Sequence, residues 1–229
     1  ERLRSELGVH ATGEIEAPLA GTCVSGLVLL PALRFDATSF ATPFLSPKIG
    51  MAASFRPLSL WGSVARTAIV RGSVSRNFRL PTFNELFYRG GGGIGNPSLR
   101  PEQATNADLG TTLLFDAPWS QRITCSYFII DMEDRIAWLP VGTGTVSPKN
   151  LERVRSSGVE LEYQLTAPGD LLTLRVTYTG LRSEKTSEDL PGDPTADKQL
   201  IYIPQQSFGM IATVTKSFDA SIVSLLGAS

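Results

Sequence analysis

The feature that most constrains this chain is a two-residue alternation that recurs along most of its length. In GVELEYQLT, Val159, Leu161, Tyr163 and Leu165 fall on one side, and Gly158, Glu160, Glu162 and Gln164 on the other. LLTLRVTYT sets Leu172, Leu174, Val176 and Tyr178 against Thr173, Arg175, Thr177 and Thr179. HATGEIEAPL, PKIGMAASF, TNADLGTTLLF and FGMIATVTK repeat the pattern, with Leu114 and Ile211 out of phase. A period of two puts successive side chains on opposite faces of a strand, and helix signals are scarce. Strands are expected at about 9–19, 24–36, 47–55, 66–76, 104–115, 122–138, 146–166, 171–182 and 200–216, with a tenth starting near 220. Most run to about ten residues or more, whereas strands of soluble sheets average about five or six. That length suits a tilted strand crossing a bilayer.

The connections supply a second pattern. Short turns fall at AGT, APWSQ, APGD and SFDA, with a longer one at RPLSLWGSVA; between them lie the longer stretches ATSFATPFLS, RLPTFNELFYRGGGGIGNPSLRPEQ, PVGTGT with its flanks, and SEKTSEDLPGDPTADKQ. Alternating short and long connections describe an up-and-down meander with one tidy rim and one elaborated rim. In lipid a sheet must close on itself, so the apolar stripe would meet hydrocarbon and the polar stripe would line a wet bore. The polar stripe carries Glu14, Glu16, Arg34, Asp36, Arg71, Asp108, Glu160, Glu162 and Arg175. A soluble sheet burying its apolar face reads identically, so periodicity leaves both cases open. Strand length and loop sorting favour the membrane case.

Charge and composition narrow the function classes. Lys and Arg total 21 against 22 Asp and Glu, which argues against a nucleic-acid partner. Cys23 and Cys125 are the only cysteines and His10 the only histidine, so neither a zinc cluster nor a triad is expected, and no cofactor or metal is assigned. Glu160 and Glu162 share a strand face, as a glycosidase pair could, but a solvated lumen lining is the favoured reading of them. GGGGIGNPS lacks the Gly-Lys-Ser/Thr ending of a phosphate loop. The acidic residues Glu184, Glu188, Asp189, Asp193 and Asp197 lack the spacing of a calcium loop.

The long glycine-rich insertion carries a motif. SRNFRLPTFNELF is followed by GNPSLRPEQATNADLG. Pro81 and Pro101 stiffen its two ends and lack N–H groups. GNP makes a turn in which Gly95 and Asn96 tolerate positive φ, and Pro97 forces Asn96 extended. GGGGIG reads as a flexible outer segment. Arg79, Glu85, Arg100 and Glu102 are expected near the rim, where charge pairs would fix the loop's path.

These two runs resemble the barrel region of TonB-dependent outer-membrane receptors. The residues that carry the likeness are Phe78, Arg79, Pro81, Thr82, Glu85 and Leu86, then Gly95, Asn96, Pro97, Leu99, Pro101 and Glu102, then Asp108 and Gly110. LPALRFD, LSPKIGMAASF, ITCSYFIIDMEDRIAWL, KNLERVRSSGVELEYQL and LIYIPQQSFGMIATV resemble the flanking strands in order. Asp108 stands where Glu is commoner in the family. The resemblance implies an all-β, antiparallel, up-and-down transmembrane barrel in the outer membrane, present as a partial, open, curved sheet of about ten strands. Residues 1–229 are read as barrel domain, with the plug, its energy-coupling box and the C-terminal strands outside them. It implies a receptor, not an enzyme, that binds a scarce metal chelate, a ferric siderophore or a cobalamin, at outer loops. Import would use energy delivered by the TonB protein through the plug, with outer-membrane lipid as the other partner. Phe78, Arg79, Pro81, Glu85, Asn96, Pro97, Pro101, Glu102 and Gly110 are the expected loop-anchoring residues. Tyr88, Arg89, Asp189, Asp193 and Asp197 are the expected ligand-facing ones. A soluble β-rich carbohydrate-binding module and a passive porin are the alternatives. The first requires Val159, Leu161, Tyr163 and Leu165 to pack against a second sheet.

Overall fold

A computed structural model describes residues 5–19, 23–39, 41–60, 63–116, 119–186, 196–200 and 203–215. The expected tenth strand near 220, Glu188, Asp189 and Asp193 lie outside them. The chain forms β1 (Glu6–Thr12), β2 (Ile15–Pro18), β3 (Val24–Thr38), β4 (Ala41–Phe55), β5 (Leu58–Leu60), β6 (Ser63–Ala65) and β7 (Thr67–Arg79). A short helix α1 (Phe83–Phe87) and a small hairpin, β8 (Arg89–Gly90) with β9 (Gly93–Ile94), follow. Then come β10 (Glu102–Phe115), β11 (Ser120–Gly142), β12 (Thr145–Thr166), β13 (Leu172–Lys185) and β14 (Gln206–Val214). The long strands form one open antiparallel sheet in the order β1-β3-β4-β7-β10-β11-β12-β13-β14. β5 and β6 pair separately inside the connection between β4 and β7. The first expected strand is interrupted where Gly13 donates its N–H to the Pro31 carbonyl, 2.9 Å away. Pro31 has no N–H to return, so the ladder breaks there.

The register sorts the two faces. One face carries the cross-strand rows Leu113–Ile123–Tyr163–Val176–Met210, Thr111–Cys125–Leu161–Tyr178–Phe208 and Leu109–Tyr127–Val159–Gly180–Gln206. These side chains stand in the open rather than under a second layer: Leu109 is 60% exposed, Phe208 71% and Met210 65%. The second sheet required by the soluble alternative does not cover Leu161, which is 42% exposed. From Phe115 to Ala107 the apolar stretch runs about 27 Å along the strand. A tilt of 35–45° brings it to roughly 20 Å, close to the apolar band of about 25 Å on an outer-membrane barrel. The opposite face carries Arg71–Gly110–Ser126–Glu160–Thr179 and Thr112–Thr124–Glu162.

Two expected long loops are strands instead. ATSFATPFLS belongs to the end of β3 and the first half of β4, and PVGTGT is the tip of β11 and β12. Among the described residues the insertion after β7 remains long on that rim, and residues 186–205 separate β13 from β14. The elaborated rim is built by strand overhang: β11 has 23 residues and β12 has 22, about 75 Å of extended chain each. Antiparallel pairing lets a hairpin rich in Gly, Thr and Pro continue past the membrane as ribbon, so loop-like composition misleads there.

Candidate functional site

The insertion between β7 and β10 is folded down onto the overhanging β11–β12 hairpin. Its entry is α1, a single helical turn. Thr82 caps it: the Glu85 N–H donates to Thr82 Oγ1 at 3.2 Å, and the Thr82 N–H donates to Glu85 Oε2 at 2.7 Å. This reciprocal capping box is written in the sequence as Thr-x-x-Glu, and the strand-only reading passes over it.

Charge pairs tie the helix to the rim. Arg79 Nε donates to Glu102 Oε2 at 2.6 Å and its Nη2 to Glu102 Oε1 at 2.8 Å. The same guanidinium reaches Glu85 at 3.1 Å through both Nη1 and Nη2. Glu102 also accepts the Ile136 N–H at 2.6 Å. Burial pushes the Glu85 carboxyl up, but Arg79 and the Thr82 N–H and hydroxyl outweigh it, leaving it below the usual carboxylate range. A lowered folded-state value stabilises the cap above about pH 4.3, the unfolded value for Glu. The contribution disappears as pH falls through the lowered folded-state value. Amide exchange over residues 82–88, corrected for intrinsic rates, is therefore expected to accelerate below pH 4. Glu85→Gln should flatten that dependence.

The return path is equally tied. The Asn96 N–H donates to the Glu85 carbonyl at 2.8 Å, the Asn96 side chain donates to the Pro148 carbonyl at 3.1 Å, and its Oδ1 accepts Ser98 N–H at 3.0 Å. Pro97 sits exposed in the turn that Asn96 and Leu99 close, while Pro81 is buried and Pro101 half-buried. Asn150 bonds the Arg100 backbone in both directions at 2.9 Å and donates to the Asp134 carbonyl at 2.6 Å. Arg100 pairs with Asp134, a residue in the left-handed region at φ 56°. Leu86, Leu99 and Ile136 form a buried apolar cluster beneath, with Phe87 against it. The motif's other members sit further down the strands. Phe78 stacks on Phe44 with ring centroids 4.4 Å apart. A Cβ on Gly110 would come within 2.9 Å of Ser126 Oγ.

The glycines are not a loose segment. β8 and β9 close a hairpin through Gly91 at φ 53° and Gly92 at φ 79°, conformations that glycine adopts without strain. The Gly92 carbonyl accepts Val146 N–H at 2.8 Å. Gly95 has no positive φ, contrary to the expectation above. Its absent Cβ matters because one there would lie 2.6 Å from Phe87 N and 2.7 Å from Tyr88 N. Gly95→Ala must therefore displace backbone and is expected to cost about 2–3 kcal/mol. It should be read as lost exchange protection of the Gly95 and Asn96 amides.

Of the expected ligand-facing residues, Tyr88 and Arg89 lie together on this rim. Tyr88 is 44% exposed, packs under the glycine hairpin, and meets Trp138 edge-on at 6.3 Å between centroids. Arg89 is exposed on β8. Asp197 lies elsewhere, exposed at φ 56°, its N–H bonded to the Lys185 carbonyl at 2.7 Å. No group of three or more His, Cys, Asp or Glu side chains gathers at metal-binding distance among the described residues. Asn150, Pro148, Asp134 and Ile136 contribute to the rim without having been expected. They belong to the overhang, whose composition is partly loop-like.

Comparison with known proteins agrees with this geometry. Residues 5–223 match the family described as TonB dependent receptor-like, beta-barrel. The chain is 27% identical over 157 residues to the iron-regulated outer membrane virulence protein of Vibrio cholerae, covering 61% of this chain and 23% of that protein. It is 30% identical over 99 residues to the vitamin B12 transporter BtuB of Photobacterium profundum, covering 40% of this chain and 15% of that one. The siderophore receptor PirA of Pseudomonas aeruginosa superposes with a TM-score of 0.59 at 19% identity, covering 80% of this chain and 35% of the receptor. The chain thus spans about a quarter or less of the curated relatives and about a third of that structure.

Proposed function

The chain belongs to the TonB-dependent receptor-like β-barrel family of the outer membrane, and on that premise we propose that it is part of the wall of an active-transport receptor. In this reading residues 1–229 are a sector of a larger barrel, and further strands and a plug complete it. The open sheet supports this, since free edges have no partner in hydrocarbon and a spanning sheet has to close. The family consists of receptors and transporters rather than enzymes, and no bond in the cargo is made or broken here.

The cargo we propose is a metal chelate, a ferric siderophore or a cobalamin, captured at the outer rim and released inward when TonB acts on the plug. The relatives' names support that class. The observation that carries the reading is the pairing of an exposed apolar belt with a polar inner face. The motif residues Phe78, Arg79, Pro81, Glu85, Asn96, Pro97, Pro101, Glu102 and Gly110 then anchor the outer loop. Tyr88 and Arg89, beside Trp138, present an aromatic and cationic surface to the cargo, with Asp189, Asp193 and Asp197 as further candidate contacts.

The test is uptake of ferric siderophore and of cyanocobalamin by cells expressing the whole protein, with and without TonB. One of the two should be taken up only when TonB is present. The double variant Tyr88→Ala, Arg89→Ala should bind that cargo about tenfold more weakly, the equivalent of roughly 1.4 kcal/mol. Uptake indifferent to TonB would leave a passive pore instead.

A further inference from the structure

The apolar belt is not smooth. Gly72 and Ala107 lie diagonally across the β7–β10 ladder, each opposite a larger residue, Leu109 and Val74, and a trough of about 430 Å³ opens over them. Leu29, Ile49, Met51, Val74, Leu109 and Tyr127 form its walls. That volume falls within the range of about 300–1,000 Å³ typical of small-molecule sites.

A cation stands above the trough. Gly72, Val74 and Arg76 share the outward face of β7, so Arg76 lies two rows from Gly72 toward the rim. Arg76 is exposed, and its Nη2 donates to the neutral Gln103 Oε1 at 2.6 Å. The carboxylates further along the face are already engaged: Asp131 by Arg155 at 2.7 Å, and Glu133 by Arg153. Arg76 is therefore a charge at headgroup depth whose hydrogen-bond partner among the described residues is neutral.

We propose that this trough and Arg76 form a fixed site for one outer-leaflet lipid with a phosphate-bearing, net-anionic headgroup. An acyl chain fills the gap over Gly72 and Ala107, and the phosphate meets the guanidinium. The commitment to an anionic lipid rests on charge complementarity, because hydrocarbon alone would fill the trough with any tail. It also rests on the reading that this face meets the membrane.

The test uses the whole protein in vesicles of phosphatidylcholine containing one-tenth phosphatidylglycerol, followed by native mass spectrometry of the lipid that stays bound. Wild type should retain phosphatidylglycerol about fivefold above its share. That factor corresponds to the ~1 kcal/mol that one Arg is worth at an anionic membrane surface. Arg76→Gln should retain lipid without that preference, and Arg76→Lys should keep most of it. Ala107→Leu, which fills the trough, should retain less of both lipids.

Equal retention of the two lipids by wild type would overturn the headgroup assignment, as would an unchanged preference in Arg76→Gln. Unchanged retention in Ala107→Leu would overturn the trough. A folded wild type that fails to enter vesicles at all would instead strike at the membrane reading beneath both.

Discussion

Replacing Leu109 with arginine is expected to destabilise the membrane-inserted protein by about 2 kcal/mol, below the upper end of the ~2–4 kcal/mol that a cation costs at mid-depth on a barrel's lipid face. Leu109 lies in the apolar belt one row rimward of its middle and is 60% exposed. That exposure is what makes the experiment decisive. On a soluble sheet, changing so exposed a side chain shifts stability by no more than about 0.5 kcal/mol. In hydrocarbon the same change strands a charge or forces it to snorkel. Glu160→Lys, on the opposite face, should stay within about 0.5 kcal/mol because that face is wet. Urea titration of the protein in vesicles separates the cases. A near-zero effect at Leu109 would mean that water, not lipid, touches this belt.

The second large effect is expected at Glu102. Its carboxylate, 11% exposed, is gripped by Arg79 and also accepts the Ile136 N–H. Glu102→Ala leaves the Ile136 N–H without its acceptor and Arg79 with Glu85 alone to pair. Breaking a fully buried pair costs about 3–5 kcal/mol. Because Arg79 is 44% exposed, water recovers part of that, and about 2–3 kcal/mol is expected here. Glu102→Gln keeps an acceptor for Ile136 and should lose about half as much. The readout is amide exchange and limited proteolysis over residues 82–100, with β12 and β13 as internal reference. If the insertion keeps its protection in Glu102→Ala, the pair does not hold it in place.

Much of the fold is legible in the sequence because the two faces of each strand meet different media. Val159, Leu161, Tyr163 and Leu165 announce their side by chemistry alone, and a one-residue slip would invert them all. The overhang of β11 and β12 is not legible that way. Beyond the membrane both faces are wet, so alternation fades although pairing continues from Arg135↔Leu151 to Gly142↔Thr145. Loop-like residues such as Gly142 and Gly144 then read as a loop. The helical turn escaped the period-two reading because five residues carry no periodicity, yet its cap was visible as Thr82 and Glu85. For the rim, sequence could bring out the charges Arg79, Glu85 and Glu102 but not their partners. Ile136 contributes a backbone N–H, which every residue type offers. Asn150 acts through an amide whose partners are set by the fold, not by spacing.

One feature of the rim bears on assembly. Antiparallel strands can slide past each other by two residues and still match face to face, trading one set of bonds for another nearly as good. Glu102 stands on the middle of three neighbouring strands and holds Arg79 on one flank and the Ile136 backbone on the other. A slide on either side would tear it from one of them. The motif at the outer edge therefore acts as a locating pin, which fixes how far β7, β10 and β11 stand above the membrane relative to one another.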